Sequence, residues 1–491
     1  MIEKLFTLSG IEGSSWGNVG FWLTFSGYLI SLLLIRWVLL IKKRNPTSTV
    51  AWIIVIILVP LLGGLLFLIF GINRVSRRRA EREKSHEPWG HDLARLWRYQ
   101  LMPGEHLDST QRRLARLTQR VAGSVPTIGN RIEILDDTNR TLGLIEQAIR
   151  GAEHSIHLEY YIWQPDGTGS RVRDLLIEKA QQGVKVRFLY DKIGSMRLGN
   201  RFLKPMRDAG IDIAPFLPGA SLRERWSINL RSHRKIVIVD GKVGFTGGMN
   251  IGDEYLGKNK RLGYWRDTHL RMTGPTVLQL QQVFAEDWYF ATGEQILDPQ
   301  YFPPVEDLGK TVAEVVASEP TGDVDAFYTL MFTAINEARE RITLVTSYFV
   351  PPLALVTALE SAAYRGVKVR IMVAGRSAYF WTVLAGRSYY DSLLTAGVEI
   401  SEYQRGLLHA KTLTIDGRWS LVGTPNFDAR SLLLNFEVAV AMYDSRLALK
   451  LEEHFLHDFQ YVKVICLEDR RRQSAWQILC ENFCRLFAPV L

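Results

Sequence analysis

The chain is poor in cysteine. Only Cys466, Cys480 and Cys484 occur, all close to the C-terminal end of a 491-residue sequence. An odd count at one end cannot form a disulfide framework, and although Cys480 and Cys484 stand one helical turn apart, no His or Cys partners complete a metal site there. The chain also lacks net charge over most of its length. Residues 131–491 carry 43 basic and 43 acidic side chains, and the formal excess of +9 comes entirely from residues 1–130, with 17 basic against 8 acidic. A nucleic-acid groove needs a basic tract with stacking aromatics, so no nucleic-acid partner is expected. The positive excess lies beside the most apolar part of the chain, which suits an anionic phospholipid membrane. No clustered carboxylates of the magnesium-binding kind stand out either, so neither metal nor cofactor is expected.

Charge is missing again in two early runs. Residues 20–41 read GFWLTFSGYLISLLLIRWVLLI with Arg36 alone charged, and residues 49–71 read TVAWIIVIILVPLLGGLLFLIFG with no charge. Each is long enough to cross a hydrocarbon core of about 30 Å as a helix. Pro60 and Gly63-Gly64 are expected to kink the second. The first is followed by Lys42-Lys43-Arg44-Asn45-Pro46 rather than by small residues suited to signal cleavage. With both termini cytoplasmic, Lys4, Arg74, Arg77, Arg78, Arg79, Arg82 and Lys84 lie inside and Lys42, Lys43 and Arg44 outside, which is the favoured orientation. The expectation is a multi-pass protein of a bacterial inner membrane with a cytoplasmic catalytic region.

What the chain does have is a repeat. Gly183-Val184-Lys185-Val186-Arg187 recurs as Gly366-Val367-Lys368-Val369-Arg370, each after an amphipathic helical pattern and each opening an apolar strand. AGIDIAPF at 209–216 matches AGVEISEY at 396–403, and HSIHLEYYIW at 154–163 matches ERITLVTSYFV at 340–350. Alternation of strand and helix predicts an α/β fold with a largely parallel core sheet. The expected layout is a membrane anchor at 1–72, a linker at 73–128, one α/β domain at 129–302, its copy at 303–465 and an amphipathic tail at 466–491.

Each copy carries the template H-x-K-x4-D-x6-G-[GT]-x-N. In SHRKIVIVDGKVGFTGGMN it places His233, Lys235, Asp240 and Asn250; in LHAKTLTIDGRWSLVGTPN it places His409, Lys411, Asp416 and Asn426. His and Lys two residues apart on a strand face the same side. Asp-Gly makes a tight turn and the chain returns as a paired strand, bringing each Asn near its His, where an amide can bind an oxyanion. One such copy would be an ordinary strand face; two complete copies in matched positions point to a shared site. Alignment of the halves also pairs Asp267 with Glu437, each about 30 residues past its His. A histidine nucleophile needs a partner to fix its tautomer, and these two are the expected orienters.

The paired motif is the HKD signature of the phospholipase D superfamily, and the resemblance runs over nearly the whole chain. In detail it resembles the bacterial cardiolipin synthases, in Arg44-x-Pro46 … Ala51-Trp52 … Pro60-x-x-Gly63 … Phe70-Gly71, in Gly247-Gly248-Met249-Asn250-Ile251-Gly252-Asp253-Glu254-Tyr255, in Asn426-Phe427-Asp428-x-Arg430-Ser431 … Asn435-Phe436-Glu437 and in the ending Arg485-Leu486 … Pro489-Val490-Leu491. Thr424-Pro425 departs from the Ser-Ala the family often has. The resemblance implies two fused phospholipase D-like α/β domains with pseudo-twofold symmetry, preceded by two transmembrane helices. It implies ping-pong phosphatidyl transfer through a phosphohistidine, from one phosphatidylglycerol to another, giving cardiolipin and glycerol.

The motif residues suit that chemistry on their own terms. One neutral imidazole can attack phosphorus, and a second, protonated, can give its proton to the departing alkoxide. The expected catalytic set is His233, Lys235, Asp240, His409, Lys411 and Asp416, with the lysines on the phosphate oxygens and the aspartates supporting the turns and their charge network. Family habit makes His233 the expected nucleophile. With water as acceptor the same residues would make a hydrolytic phospholipase D or another phosphodiesterase; a catalytically dead scaffold is at odds with the intact motifs. In the tail, Trp476, Leu479, Phe483 and Leu486 recur at helical spacing, for contact with either a membrane or the protein's own core.

Overall fold

The two Asp-Gly turns set the geometry of the catalytic region. Asp240 and Gly241 have φ of 53° and 63°, and Asp416 and Gly417 have 54° and 64°. Two successive left-handed residues make the type I′ turn, whose twist matches that of the flanking strands. Asp tolerates this region better than most residues and Gly enters it freely. In the computed structural model, which describes residues 15–40, 46–68, 107–216, 230–305, 309–320, 324–377 and 379–488, each turn closes an antiparallel hairpin, Val239 facing Val243 and Ile415 facing Trp419.

Internal contacts divide the chain into two units, Met1–Arg77 and Arg78–Leu491. The first contains α1 (Ser15–Leu40), α2 (Pro46–Leu58) and α3 (Pro60–Leu66). Leu34 and Val38 of α1 meet Ile56 and Phe67 in a small core. The second apolar run breaks where Pro60 lacks an N–H and opens a new helix, with Val59 at φ −136°. Among the described residues no helix is long and apolar enough to cross a membrane. The basic loop at 42–45, Lys4 and the basic stretch after the second run lie outside the described residues.

The second unit carries the repeat. Its first copy supplies β1 (Thr127–Leu135), β2 (Ser155–Tyr160), β3 (Lys185–Asp191), β4 (Asp212–Phe216), β5 (Lys235–Val239), β6 (Val243–Gly247) and β7 (His269–Thr273). The second supplies β8 (Thr311–Ser318), β9 (Arg341–Thr346), β10 (Lys368–Ala374), β11 (Glu399–Tyr403), β12 (Thr412–Ile415), β13 (Trp419–Gly423) and β14 (Asn435–Met442), with β15 (Val462–Ile465) at its edge. All join one sheet, in the order β15-β11-β10-β9-β12-β13-β14-β8-β1-β7-β6-β5-β2-β3-β4. From the antiparallel β1·β8 join, both halves run outward alike: β7-β6-β5-β2-β3-β4 one way and β14-β13-β12-β9-β10-β11 the other.

This corrects the expectation of a largely parallel sheet. Along this order, among the described residues, the parallel ladders are those of β2-β3-β4 and β9-β10-β11. The interior pairings are antiparallel: Asp-Gly hairpins join β5 to β6 and β12 to β13, while β1·β7, β6·β7 and β13·β14 pair strands that longer connections separate.

Helices cover both faces. On one face α5 (Thr138–Arg150) and α6 (Gly167–Gln181) pack Ile145, Ile149, Val172 and Leu176 on Val186, Val237 and Val239. Ile236 and Ile238, one residue out of phase, face the opposite layer of α7 (Pro275–Thr292), with Val277 and Phe284. In the second half α8 (Ala326–Glu337) and α9 (Leu353–Tyr364) pack on Ile342, Leu413 and Ile415, and α11 (Ser445–Asp458) buries Leu451 and Phe455. Part of the expected linker belongs to this unit: Ser109–Ala122, which is α4, buries Leu114 in the second half's core, and its Thr118 hydroxyl donates to Glu314 at 2.8 Å. The remainder of the linker, before residue 107, lies outside the described residues.

Candidate active site

Each motif histidine is delivered by its own half and held by the other. Arg231–Ser232 pairs in parallel with Asn435–Phe436, and the His233 N–H donates to Phe436 O at 2.9 Å. Gly406–Leu408 pairs in parallel with Tyr264–Arg266, and the His409 N–H donates to Arg266 O at 2.7 Å. The next side chains on those partner strands are Glu437 and Asp267. His233 Nδ1 therefore lies 3.0 and 2.9 Å from the two Glu437 oxygens, and His409 Nδ1 lies 2.8 Å from Asp267 Oδ2. A carboxylate only accepts, so Nδ1 carries the proton in each ring and Nε2 keeps its lone pair. Asp267 and Glu437 are the histidine partners that the aligned halves suggested, but they are exchanged: each serves the histidine of the opposite half.

The site is buried, and that governs its charges. His233 and His409 are buried, and desolvation outweighs the neighbouring carboxylates, holding both imidazoles at about 4. Both are neutral at pH 7, so the protonated partner expected from sequence is not preset; a phosphodiester anion, by its charge, would favour it. Burial also lowers Lys235 to about 7 and Lys411 to about 8. The charge of each lysine acts on both histidines, which ties the two motifs into one site. Burial works to raise Asp267 and Glu437, but the adjoining histidines and lysines outweigh it and keep both below the usual carboxylate range.

The lysine ammonium groups donate to the carbonyls of their own motif histidines, Lys235 to His233 O at 2.6 Å and Lys411 to His409 O. Lys411 also donates to the Ser347 hydroxyl at 3.1 Å, and the Lys235 ammonium stands 5.4 Å from the Tyr161 ring centre. The asparagines are buried on the return loops, beside the ends of β2 and β9 through the Trp163–Ile251 bridge and the Phe349–Phe427 pair. Asn250 Oδ1 accepts the Ile162 N–H at 3.1 Å; Asn426 Nδ2 donates to Ser431 at 3.4 Å, and its Oδ1 has no partner among the described residues.

Asp240 and Asp416 are not at the reacting centre. Asp240 accepts the N–H groups of Glu153, His154 and Ser155, and Asp416 those of Arg339, Glu340 and Arg341. Five residues of extended chain separate Asp240 from Lys235, roughly 16 Å. Though grouped with the expected catalytic set, they lie where the sequence reading put them, at the turns.

Several neighbours carried no distinct sequence signal. Tyr161 packs edge-on to His233 with centroids 4.9 Å apart, and Trp265 lies 5.2 Å from His409 while its indole N–H donates to Asp267 at 3.3 Å. Thr424, noticed only as a departure from family habit, donates its hydroxyl to Glu437 at 2.6 Å. At the matching position a Cβ on Gly248 would come within 2.0 Å of Asp267 Oδ1, so the template's [GT] slot abuts a histidine's carboxylate in both halves. Among the described residues no group of three or more His, Cys, Asp or Glu could hold a metal ion.

Two family models match the sequence. One, described as cardiolipin synthase, PLD-like domain, covers residues 145–288 and 331–459. The other, described as phospholipase D-nuclease N-terminal, covers 29–71. Cardiolipin synthase of Geobacillus kaustophilus is 38% identical over 94% of this chain and 92% of its own length. Cardiolipin synthase 1 of Bacillus cereus is 36% identical over 95% and 94%. The solved phosphatidylserine synthase of Haemophilus influenzae shares the fold at a TM-score of 0.59, over 78% of this chain and 100% of that one, at 15% identity. A duplicated sheet that brings two His-x-Lys strands to one site is a phospholipase D-like protein. Within that class, the chain belongs to the cardiolipin synthase family.

Proposed function

We propose that the protein is a cardiolipin synthase that moves a phosphatidyl group from one phosphatidylglycerol to the hydroxyl of another, releasing glycerol. The observation that carries this reading is the pair of buried, neutral histidines, each braced by a carboxylate of the other half and each felt by both lysines. His233 Nε2 attacks phosphorus, and the bond to the glycerol oxygen breaks. His409, charged under the influence of the bound anion, gives its proton to that oxygen. The acceptor hydroxyl then loses its proton to His409 and attacks the phosphohistidine, restoring His233. Lys235 and Lys411 offset charge on the non-bridging oxygens, and Asn250 and Asn426 complete the phosphate pocket. Burial favours transfer over hydrolysis by keeping water from the intermediate.

Residues 1–72 anchor the chain in the bacterial cell membrane in this proposal, in two passes with the catalytic region on the cytoplasmic side. Support comes from the apolar runs and from their side chains: Leu32 and Leu58 are 65% and 73% exposed, a poor arrangement in water. A cysteine placed in the 42–47 loop should react with an impermeant thiol reagent added outside cells and one near residue 120 should not; the reverse would overturn this orientation.

The reaction is tested by giving purified enzyme labelled phosphatidylglycerol alone. Cardiolipin and free glycerol are expected, with and without EDTA. Phosphatidic acid as sole product would mark the hydrolytic alternative, and loss of activity in EDTA restored by magnesium would rule out the metal-free scheme.

A further inference from the structure

The C-terminal helix is packed with its polar side inward. Ser474 caps α12 (Ala475–Arg485) through a capping box with Gln477. Glu481 is 4% exposed and accepts both guanidinium nitrogens of buried Arg470, at 3.0 and 2.9 Å, while Gln473 donates to it at 3.0 Å. The apolar stripe faces away: Trp476 is 71% exposed and Leu486 74%, with Leu479 and Phe483 exposed between them. A helix evolved only to cover a core would show the opposite polarity.

A second element continues this stripe. α10 (Phe380–Arg387) packs beside α12 and also leaves aromatics outward, Phe380 and Trp381, with ring centres 5.1 Å apart. Together they make an apolar surface of two helices, larger than scattered exposed side chains explain.

This surface adjoins the active site. A Cβ on Gly386 would come within 2.8 Å of Phe349 O, and Phe349 pairs with Phe427, next to Asn426. Tyr379, preceding α10, is near enough to Tyr161, the ring packed on His233, for the two phenols to act on each other. Arg376, Arg471, Arg472 and Arg485 are exposed, and none is ion-paired among the described residues; the exposed acids Glu468 and Asp469 offset them only in part.

We propose that the outer face of α10 and α12 docks on an anionic lipid leaflet beside the mouth of the active site, delivering lipid to it; this deepens the proposed reaction and rests on it. Three features select a leaflet over a protein partner. Tryptophan favours the membrane interface, the arginines complement anionic headgroups, and a helix lying in that plane buries one apolar side to about 5–10 Å.

The test uses the full chain with Cys466, Cys480 and Cys484 replaced by Ser and a bimane label on Leu479→Cys, reconstituted in vesicles of phosphatidylglycerol and phosphatidylcholine. Emission should shift to the blue and be quenched by nitroxides on the acyl chains, while the same label on Glu453→Cys should not respond. In parallel, the triple variant Trp476→Ser, Leu479→Ser, Phe483→Ser should lose about tenfold or more of its transfer rate on bilayers, yet stay within about twofold on detergent-dispersed phosphatidylglycerol. An unquenched label, or equal losses on both substrates, overturns the proposal. So does a blue shift that depends on protein concentration without lipid quenching, which would assign the face to a second copy. A quenched label on an enzyme that makes no cardiolipin in either medium would support the docking face and refute the proposed reaction instead.

Discussion

At the residue scale the site is a pair of crossed dyads, and the crossing has a measurable consequence. In a His409→Ala background the proton shuttle is gone, but a phosphodiester with a p-nitrophenolate leaving group needs little acid assistance. His233 should still form its adduct, seen as a burst of p-nitrophenolate. Adding Glu437→Gln should slow the burst by roughly two to four orders of magnitude, because the ring loses the partner that fixes its tautomer. Adding Asp267→Asn should change it little. The opposite pattern would mean that each carboxylate serves its own half. The pH profile of kcat/KM follows from the same burial. A neutral His233 is required for attack, so activity falls as pH drops toward the value of about 4 that burial gives it. Protonated lysine is required for phosphate, so activity falls as pH rises through about 7 to 8. The proposed step also needs a protonated His409, which burial leaves neutral above about 4, so kcat/KM should decline gradually between those limits and more steeply above them; an acid limb near 6.5 would show that the histidines are not desolvated. The spacing of each motif made the histidines, lysines and asparagines legible in the sequence. The exchange of carboxylates was not, because it depends on which strand lies beside Ser232 and Leu408, a pairing of residues some 150 to 200 positions apart that no local pattern encodes.

At the element scale the motif aspartates hold hairpins rather than substrate. Asp240 sits at φ 53° and accepts three N–H groups that open β2. Asp240→Ala removes those acceptors and puts a Cβ without local hydrogen bonding into the left-handed region, a cost of about 2–4 kcal/mol. Asp240→Asn, which tolerates that region and keeps one acceptor oxygen, should cost less. Thermal unfolding should therefore rank wild type above Asn above Ala, with the folded fraction of each retaining turnover at low temperature. His233→Ala should do the reverse, unfolding like wild type with no turnover. Full stability with no activity in Asp240→Ala would return the aspartate to the chemistry. The hairpins themselves could be read from Asp-Gly between apolar runs, since turn chemistry is local. The antiparallel centre of the sheet could not, because strand–helix alternation is present only at the flanks, and the helix at Ser109–Ala122 was hidden in a basic, polar stretch. Its burial is sparse, Leu114 and Thr118 facing in among charged neighbours, which reads as linker until its partner strand is known.

At the scale of the whole catalytic unit, duplication explains why the site cannot belong to one half. β1 and β8 join the copies edge to edge, and the strands before His233 and His409 each complete a ladder begun by the other copy. An isolated half would carry one histidine without its carboxylate, and it would leave the edge of β1 or β8 unpaired. The same join makes the two histidines a property of one chain. Full-length His233→Ala and His409→Ala chains should each be inactive, and mixing them should not restore transfer even after prolonged incubation. In one variant His409 and Asp267 are intact but nothing attacks phosphorus; in the other His233 and Glu437 are intact but nothing shuttles the proton. Rescue needs a site that combines His233 of one chain with His409 of another. That would require breaking the β1·β8 pairing and the two short parallel ladders in both chains, since the ladders set the histidines against their carboxylates. Joint refolding of the mixed variants from denaturant is the control, because it allows exchanged halves to assemble if such an arrangement is stable. Activity appearing only after joint refolding would show that halves can swap but that native chains do not. Activity on simple mixing would show that the native enzyme shares its sites between chains, and the single-chain site derived from these ladders would be wrong.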